Sequence, residues 1–419
     1  MTPSLPRGMR DIEARDYALL EQVRGSFAET SLLFDFQTME PSPLELISTL
    51  EAKAGSSIKD EIFYFTDKGG REIGLRFDLT VGLTRYVCAH RELQLPVKMG
   101  CFSSMWRYDE PQHGRYRWFH QWDAEIFGVP DSSAEAEVIE FTSSIFNRLG
   151  IGVRIEIGDR KIVQDFITKK LGITSQKDVF ELLRAIDKTG KRTTEELIRE
   201  YAPLGFKRKD LSELFEFAKT KGTWDKVSSL LVDYGIDTEP LNEMAHGINE
   251  RKLHDVRINL GIVRGLDYYT GTVFEVFSKE DTTLGALAGG GRYDSLPAAF
   301  GREDLTAVGV AGGVDRMISL MILRMDKKSR PVLVAYTSDN MRDNATSITS
   351  DLRRAGIPCI QDTMGRSLRK QLEIAASREV GKVVIVGPSE FASGEVTLRN
   401  MDERSEERVR IKDLTKRLS

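Results

Sequence analysis

The stretch RYDEPQHGRYRWFHQ, residues 107–121, crowds arginines, acids and aromatic rings around a short centre of turn-forming residues. The tetrapeptide PQHG in its middle favours a turn, and runs typical of strands lie on both sides of it. The sequence therefore predicts a hairpin over residues 103–127 with a loop of moderate length.

The two faces of this hairpin are predicted to differ, because strand side chains alternate between faces. One face of the second strand carries four residues: Phe119, Gln121, Asp123 and Glu125. An ordinary polar sheet face is one interpretation, although it does not require a ring at position 119. The other is the floor of a pocket, in which arginines such as Arg107 hold phosphate, rings stack on a base and carboxylates or amides hold an NH-bearing group.

Length and composition limit the class of protein. The 419 residues suffice for two or three domains, and the 40% hydrophobic and 30% charged content is typical of a globular soluble protein. The sequence has neither a long uncharged apolar run nor an apolar signal core near its start, so we expect no membrane span and no secretion. Three scattered cysteines, Cys88, Cys101 and Cys359, argue against a disulfide framework or a structural zinc site and favour the cytoplasm.

The spacing of apolar residues predicts the order of elements. Helices are expected at 11–33, 44–54, 81–92 and 132–149, with strands between 62 and 128. Several short amphipathic helices then predict a helical insertion at about 168–235. After a charged linker at 325–331, strands and helices alternate, which predicts a small α/β domain on a largely parallel sheet over 329–419.

Two further segments share the chemistry of the hairpin. The segment RFDLT, residues 76–80, places Asp78 and Thr80 on one face of a predicted strand. The segment RGLDYYTGTVFEVF begins with Arg264 and contains Tyr268 and Tyr269, for which core packing is the ordinary interpretation.

Two glycine-rich segments follow. LAGGGRYDSL, residues 287–296, contains Tyr293 and allows a backbone to approach a ligand closely. AVGVAGGVDRM, residues 307–317, places Arg316 in the first turn of a predicted helix. The helix dipole disfavours a cation there, and one interpretation is that Arg316 reaches out of the helix towards an anion.

Together these segments resemble the class II aminoacyl-tRNA synthetases, and specifically the histidyl-tRNA synthetase family. YDEPQHGRYR with F-x-Q resembles the second class motif, GVAGGVDRM the third, TMEPSP the first, and RGLDYYTGTVFE the block peculiar to the histidine enzymes. Bacterial members have an arginine–proline–glutamate version in place of RFDLT and a glycine in place of Asp123. In these two features the chain resembles the archaeal or eukaryotic branch. The resemblance implies an α+β fold: a catalytic domain at 1–325, with an antiparallel sheet flanked by helices and the helical insertion, and an α/β anticodon-binding domain at 329–419.

The resemblance also implies roles for individual residues. Arg107, Arg264 and Arg316 would be the catalytic arginines on the phosphates of ATP, and the ATP site would be completed by Asp109, Arg115 and Phe119. Asp109 and Asp315 stand where the family usually has glutamate. The histidine site would comprise Asp78, Thr80, Arg107, Gln121, Glu125, Tyr268, Tyr269 and Tyr293.

The implied activity is that of a histidine–tRNA ligase, which forms histidyl-adenylate from L-histidine and ATP with Mg²⁺ and then esterifies the 3′ end of tRNA(His). A cytoplasmic homodimer without membrane contact is implied as well. Two alternatives stay open: a paralogue that senses histidine without catalysis, and a synthetase for threonine, proline or glycine. The intact arginines and the C-terminal domain argue against the first, and the RGLDYY block argues against the second.

Overall fold

The computed structural model describes residues 4–54, 56–110, 116–190, 192–263, 268–322 and 330–418. Arg115, Arg264 and residues 325–329 of the predicted linker therefore lie outside the described residues. The chain divides into two compact units, Met1–Arg324 and Met325–Ser419, and each has hydrophobic clusters of its own.

The first unit is built around a large, mainly antiparallel sheet. The strands of this unit are β1 (Gln37–Thr38), β2 (Leu44–Leu46), β3 (Tyr64–Thr66), β4 (Glu72–Leu75), β5 (Val97–Trp106), β6 (Trp118–Phe127), β7 (Val153–Asp159), β8 (Lys221–Gly222), β9 (Val256–Asn259), β10 (Thr272–Ser278), β11 (Ala286–Arg292) and β12 (Ala307–Gly313). The strand order of the large sheet is β1-β5-β6-β12-β11-β10-β7-β9-β8, and a smaller sheet has the order β2-β4-β3. Among the described strands of the large sheet, only the β1–β5 and β7–β9 pairs are parallel.

Helices cover the large sheet. In the first of them, Leu19, Val23 and Phe27 recur every four residues and are buried, so one stripe of the helix packs into the core. The helices of this unit are α1 (Ala14–Leu33), α2 (Ile47–Ala54), α3 (Thr80–Ala89), α4 (Ser133–Arg148), α5 (Arg160–Asp165), α6 (Gln176–Asp187), α7 (Thr194–Tyr201), α8 (Arg208–Ala218), α9 (Trp224–Asp233), α10 (Glu239–Glu250), α11 (Ser295–Ala299) and α12 (Val314–Ile322).

The predicted hairpin is confirmed as the pair β5–β6, which runs in register from Val97 opposite Phe127 to Trp106 opposite Trp118. The faces follow the predicted alternation, since Met105 lies opposite Phe119 and Ser103 opposite Gln121. Residues 111–115 of its loop lie outside the described residues.

Two local predictions are wrong. The predicted helix at 44–54 begins only at Ile47, because residues 44–46 form the edge strand β2. The predicted strand over RFDLT ends at Leu75, and Thr80 already begins α3. The physical reason is Arg76, whose buried guanidinium donates to the Pro41 carbonyl at 2.6 Å and the Ser104 carbonyl at 3.0 Å, and so turns the chain away from the sheet.

Short capped helices occupy the region of the predicted insertion. α6 begins after Ser175, whose hydroxyl accepts from the Asp178 N–H, and α7 begins with a Thr193–Glu196 capping box. The buried apolar faces of α6 to α9 belong to the same hydrophobic cluster as those of α1 and α4. The insertion helices thus share the core of the first unit.

The elements of the second unit are β13 (Val332–Tyr336), α13 (Arg342–Arg354), β14 (Cys359–Gln361), α14 (Leu368–Ser377), β15 (Lys382–Val386), α15 (Pro388–Ala392), β16 (Glu395–Asn400), β17 (Ser405–Arg410) and α16 (Leu414–Leu418). They build a five-stranded sheet in the order β14-β13-β15-β16-β17. The first three strands in this order are parallel and the last two pairs are antiparallel, so the predicted largely parallel sheet is instead mixed. α13 ends where Gly356, with φ 79°, adopts the left-handed conformation of a helix C-terminus.

Candidate active site

A cleft of about 1610 Å³ lies over one face of the large sheet in the first unit. One row of the sheet beneath it crosses four strands, from the buried Asp123 on β6 through Ala311 and Gly289 to Glu275 on β10. Because opposite residues in a sheet share a face, the small residues in the middle of this row leave space above β12 and β11. The space is flanked by polar side chains on both sides.

Every predicted site residue that the structure describes lines this cleft. Arg115 and Arg264 cannot be placed, because both lie outside the described residues. The structure brings together Asp78, Thr80, Arg107, Asp109, Phe119, Gln121, Glu125, Tyr268, Tyr269, Tyr293 and Arg316.

Arg107 follows the last residue of β5, and its side chain is held by a backbone carbonyl and an aromatic ring. Its Nε donates to the Phe77 carbonyl at 2.9 Å, and its guanidinium lies over the Phe119 ring, 5.1 Å from the centroid. This contact between a cation and the face of a ring fixes the two side chains relative to each other. A flat ligand and an anion could therefore be held side by side at this wall.

The polar floor is a buried chain of hydrogen bonds. Gln121 Nε2 donates to Asp123 Oδ1 at 2.8 Å, and Thr80 Oγ1 donates to Asp123 Oδ2 at 3.3 Å. Asp78 caps α3, since its Oδ1 accepts from the Val81 N–H at 3.1 Å. The start of this helix therefore places Asp78 and Thr80 in the cleft, although not by the strand geometry that the sequence predicted.

Three tyrosines form the opposite wall. Tyr268 and Tyr269 stack at 4.4 Å, and Tyr268 meets the Tyr293 ring edge-on at 6.0 Å. The buried Tyr293 hydroxyl donates to Glu125 Oε2 at 2.5 Å, and burial together with the Glu125 carboxylate raises the pKa of Tyr293 well above its usual value. Gly309 makes room for this pair, because a Cβ there would lie 1.4 Å from Glu125 Oε2.

Arg316 lies in the first turn of α12, as predicted, and donates to the Ala286 carbonyl. Its neighbour Asp315 also belongs to the site, although the sequence did not predict it. The Asp315 carboxylate accepts from the backbone N–H of His120 at 3.2 Å and pairs with Arg10. Burial raises the pKa of Asp315 despite the Arg10 charge. Burial, with Arg24 and Arg10 nearby, lowers the pKa of His120 to about 4.

Residues 7–10 form a strap that contacts Glu110 and Arg117, which lie on the two sides of the hairpin loop. The Gly8 carbonyl accepts from the Arg117 N–H at 2.9 Å, and Arg7 pairs with Glu110. Arg10, besides its pair with Asp315, lies over the Tyr116 ring at 4.0 Å. The strap lies within the segment PRGMRDI, residues 6–12, whose composition and spacing do not predict these contacts.

At the far side of the floor lies a second polar cluster that sequence reasoning missed. Glu156 Oε2 accepts from Asn259 Nδ2 at 2.6 Å, and Glu156 lies directly opposite Glu275 in the β7–β10 pair. Burial raises the pKa of Glu156, but the bond from Asn259 and the charge of Lys221 outweigh it and hold the pKa below its usual value. Period-2 alternation in β7 and β10 is the signal that could have found these acids.

The insertion helices contribute the rim of the cleft. The lining residues from this region lie at the end of α6, at the start of α7, in the connection between them, and after α8: Asp187, Thr189, Gly190, Arg192, Thr193, Thr194, Lys219 and Lys221. The amphipathic pattern predicted these helices but not their place above the site, since such a pattern shows only which face is buried.

Comparisons with known proteins identify the family. The family model described as histidyl-tRNA synthetase matches residues 8–317, and that of the anticodon binding domain matches residues 331–419. The chain is 32% identical to the histidine–tRNA ligase of Methanocaldococcus jannaschii, with 98% of both chains covered. It is 33% identical to the histidine–tRNA ligase of Pyrobaculum calidifontis, over 96% of this chain and 94% of that relative.

Solved structures support the fold. Histidyl-tRNA synthetase from Nostoc sp. PCC 7120 superposes with a TM-score of 0.85 at 23% identity, covering 100% of this chain and 99% of the other. An ATP phosphoribosyltransferase regulatory subunit/histidyl-tRNA synthetase from Bacillus halodurans gives a TM-score of 0.75 at 22% identity, covering 92% of this chain and 98% of the other. Within the described ranges, no helix has the length and apolarity to cross a membrane.

The predicted fold class is thus confirmed as α+β, with a class II synthetase catalytic region and a C-terminal anticodon-binding domain. The two histidine–tRNA ligases compared above come from archaea, in keeping with the predicted archaeal or eukaryotic branch. The chain belongs to the histidyl-tRNA synthetase family.

Proposed function

We propose that this chain is a histidine–tRNA ligase that activates L-histidine with ATP and transfers it to the 3′ end of tRNA(His). The observation that carries the proposal is the single cleft in which Arg107 and Arg316 lie beside a polar floor and a wall of tyrosines. Cations suit a polyphosphate, and the tyrosine wall suits a flat side chain such as imidazole. Family membership supports the same reaction.

In the first step a histidine carboxylate oxygen bonds to the α-phosphorus of ATP, and the bond to the β-phosphate bridging oxygen breaks to release pyrophosphate. Negative charge accumulates on phosphate oxygens, so cationic groups and positioning supply most of the rate enhancement. We assign Arg107 and Arg264 to the α-phosphate and Arg115 and Arg316 to the terminal phosphates. Mg²⁺ would enter as part of the nucleotide substrate and would neutralise part of the charge on its phosphates.

The adenine is assigned to Phe119 and Asp109. Phe119 would stack on the base, and its contact with Arg107 supports this placement because it sets the ring beside the phosphate-binding cation. Asp109 would accept from the adenine amino group. In the second step a ribose hydroxyl of the terminal adenosine of tRNA attacks the carbonyl carbon of the adenylate, and AMP leaves.

The histidine pocket is assigned to two sets of residues, one for the α-amino group and one for the imidazole. Asp78, Thr80 and Gln121 would bind the α-amino group, while Glu125 and the tyrosines Tyr268, Tyr269 and Tyr293 would surround the imidazole. Imidazole offers one donor and one acceptor, so a site built to pair both rejects analogues that lack them, by roughly 10⁴–10⁵. The Glu125–Tyr293 hydrogen bond supports such a polar, pre-positioned pocket.

Pyrophosphate exchange with each amino acid tests the proposal. We expect ATP–pyrophosphate exchange that depends on histidine, and the Arg264→Ala variant should slow it far more than it weakens histidine binding. Histidine binding without exchange would favour a histidine-sensing paralogue instead. Exchange with threonine, proline or glycine would favour a different synthetase.

The catalytic domain is assigned to residues 1–325 and tRNA recognition to residues 329–419. The second unit matches the anticodon-binding family and carries basic side chains on its surface, such as Lys370, Arg410 and Lys412. Deleting residues 329–419 should sharply weaken tRNA charging while adenylate formation stays measurable. Equal loss of both activities would contradict the assignment.

We assign the chain to a homodimer in the cytoplasm. The small sheet supports the dimer, because Leu44, Leu46 and Phe65 share its outer face and are 39%, 49% and 49% exposed, whereas α2 covers its inner face. An apolar sheet face of this kind is typical of an interface. Leu46→Asp should shift the protein to monomer in sedimentation velocity, and an unchanged sedimentation coefficient would contradict this assignment.

A further inference from the structure

We propose that Asp123 is a positioning residue that sets the direction of the hydrogen bonds around it, so that the floor presents oxygen acceptors to the ammonium group of the substrate. The inference deepens the proposed function and rests on it, because it concerns how the same site selects an α-amino acid. Asp123 itself would not touch the reacting atoms.

The position of Asp123 is buried and central. Its side chain lies in the middle of β6 and is 0% exposed, and both Gln121 and Thr80, its hydrogen-bond partners, are 7% exposed. Its cross-strand neighbours are Ala311 and Cys101. Burial is the main cause that raises the pKa of the Cys101 thiol, and the charge of Asp123 raises it further. Cys101 therefore stays uncharged.

The chemistry of a carboxylate dictates the orientation of both partners. An ionised carboxylate only accepts hydrogen bonds. The Gln121 atom 2.8 Å from Oδ1 is therefore the amide nitrogen, and the amide oxygen is directed away from Asp123. Thr80 has one hydroxyl hydrogen and directs it to Oδ2 at 3.3 Å, so its lone pairs are left as acceptors.

The resulting set of acceptors matches an ammonium group. An ammonium has three donors and no acceptor, and the cleft offers it the Gln121 amide oxygen, the Thr80 hydroxyl oxygen and the Asp78 carboxylate. If the Gln121 amide were reversed, an N–H₂ group would face the cation. Asparagine at position 123 permits this reversal, because its own amide can donate to the Gln121 oxygen.

Calorimetric titration with two ligands tests the inference. The first is L-histidine, and the second is 3-(imidazol-4-yl)propionate, which lacks the amino group. Asp123→Asn should weaken histidine binding roughly tenfold to a hundredfold, as expected for the loss of a hydrogen bond to a charged group, and change propionate binding less than about twofold. Asp255→Asn, at an exposed ion pair with Lys279 outside the cleft, is the matched control and should leave both affinities unchanged.

The outcomes separate the possibilities. Equal losses for both ligands, or no loss for histidine, would overturn the role of Asp123. Unmodified protein that binds neither ligand would overturn the proposed function itself. If Asp123→Asn fails to fold, Thr80→Val removes one acceptor without changing the shape of the side chain; it should reproduce the selective loss for histidine, and an equal loss for both ligands would again refute the inference.

Discussion

Replacing Gly309 with alanine tests whether the floor of the cleft has the packing described above. Gly309 lies on β12 opposite Glu125, and a Cβ at this position would lie 1.4 Å from Glu125 Oε2 and 3.1 Å from the Ala124 carbonyl oxygen. The Glu125 carboxylate would have to move, and the hydrogen bond from Tyr293 would be lost or distorted.

The magnitude has two parts. Inserting a methyl group into a packed site costs about 1–3 kcal/mol. Leaving buried hydrogen-bonding groups without their partners costs a further ~1–3 kcal/mol. We therefore expect Gly309→Ala to lower the free energy of unfolding by about 2–6 kcal/mol and to weaken histidine binding at the same time.

Tryptophan fluorescence during urea unfolding is a suitable assay, because all 4 tryptophans lie in the first unit and report on it alone. Gly25→Ala is the matched control: Gly25 lies inside α1, and beyond its own neighbours and helix backbone no described atom lies within 4 Å of an added Cβ. Alanine should stabilise that helix by up to about 1 kcal/mol. A Gly309→Ala protein as stable as the unmodified protein would refute the reasoning about the floor.

Other perturbations address the surroundings of the site. Glu135→Gln breaks a buried, bidentate pair with Arg292 and should lower the free energy of unfolding in urea by about 3–5 kcal/mol. Arg148→Met, at an exposed ion pair, should lower it by at most about 1 kcal/mol. Similar losses of stability in the two variants would contradict the argument from burial. The pKa of His120, about 4, lies below the 6.5 of the unfolded chain, so the unfolded state binds the proton first and stability falls as pH drops from 6.5 to about 4. His120→Gln should flatten that part of the stability profile, and an unchanged slope would exclude His120 as its source. Arg10→Met should lower kcat/KM for ATP in pyrophosphate exchange about 10-fold to 100-fold through displacement of the Arg316 helix, with less effect on KM for histidine; equal effects on both substrates would point to general destabilisation.

The hairpin and its faces could be predicted because local rules determine them. Turn residues in the middle of 107–121 and alternation in β6 were sufficient to place Phe119, Gln121 and Glu125 on one face. The same argument failed at 76–80, because the buried Arg76 binds backbone carbonyls far along the chain and so ends the strand. Periodicity alone contains no information about such a long-range partner.

The parts of the site that the sequence did not predict also depend on contacts between residues far apart in the chain. Arg10 and Asp315 are separated by 305 positions, so no local pattern connects them. The insertion helices were visible as amphipathic stretches, but their contribution to the rim depends on how they pack on the core. The family resemblance supplied the roles of the individual residues, which spacing and composition did not.

The strap of residues 7–10 has a practical consequence for anyone who produces the protein. Its bonds to Arg117 and Glu110 tie residues 7–10 to both sides of the loop assigned to ATP, and its bond to Asp315 ties them to α12. A substitution, deletion or fusion that disturbs these residues would therefore act on the nucleotide site itself. Kinetic constants measured on protein altered in this segment should be compared with those of unaltered protein before they are taken as native.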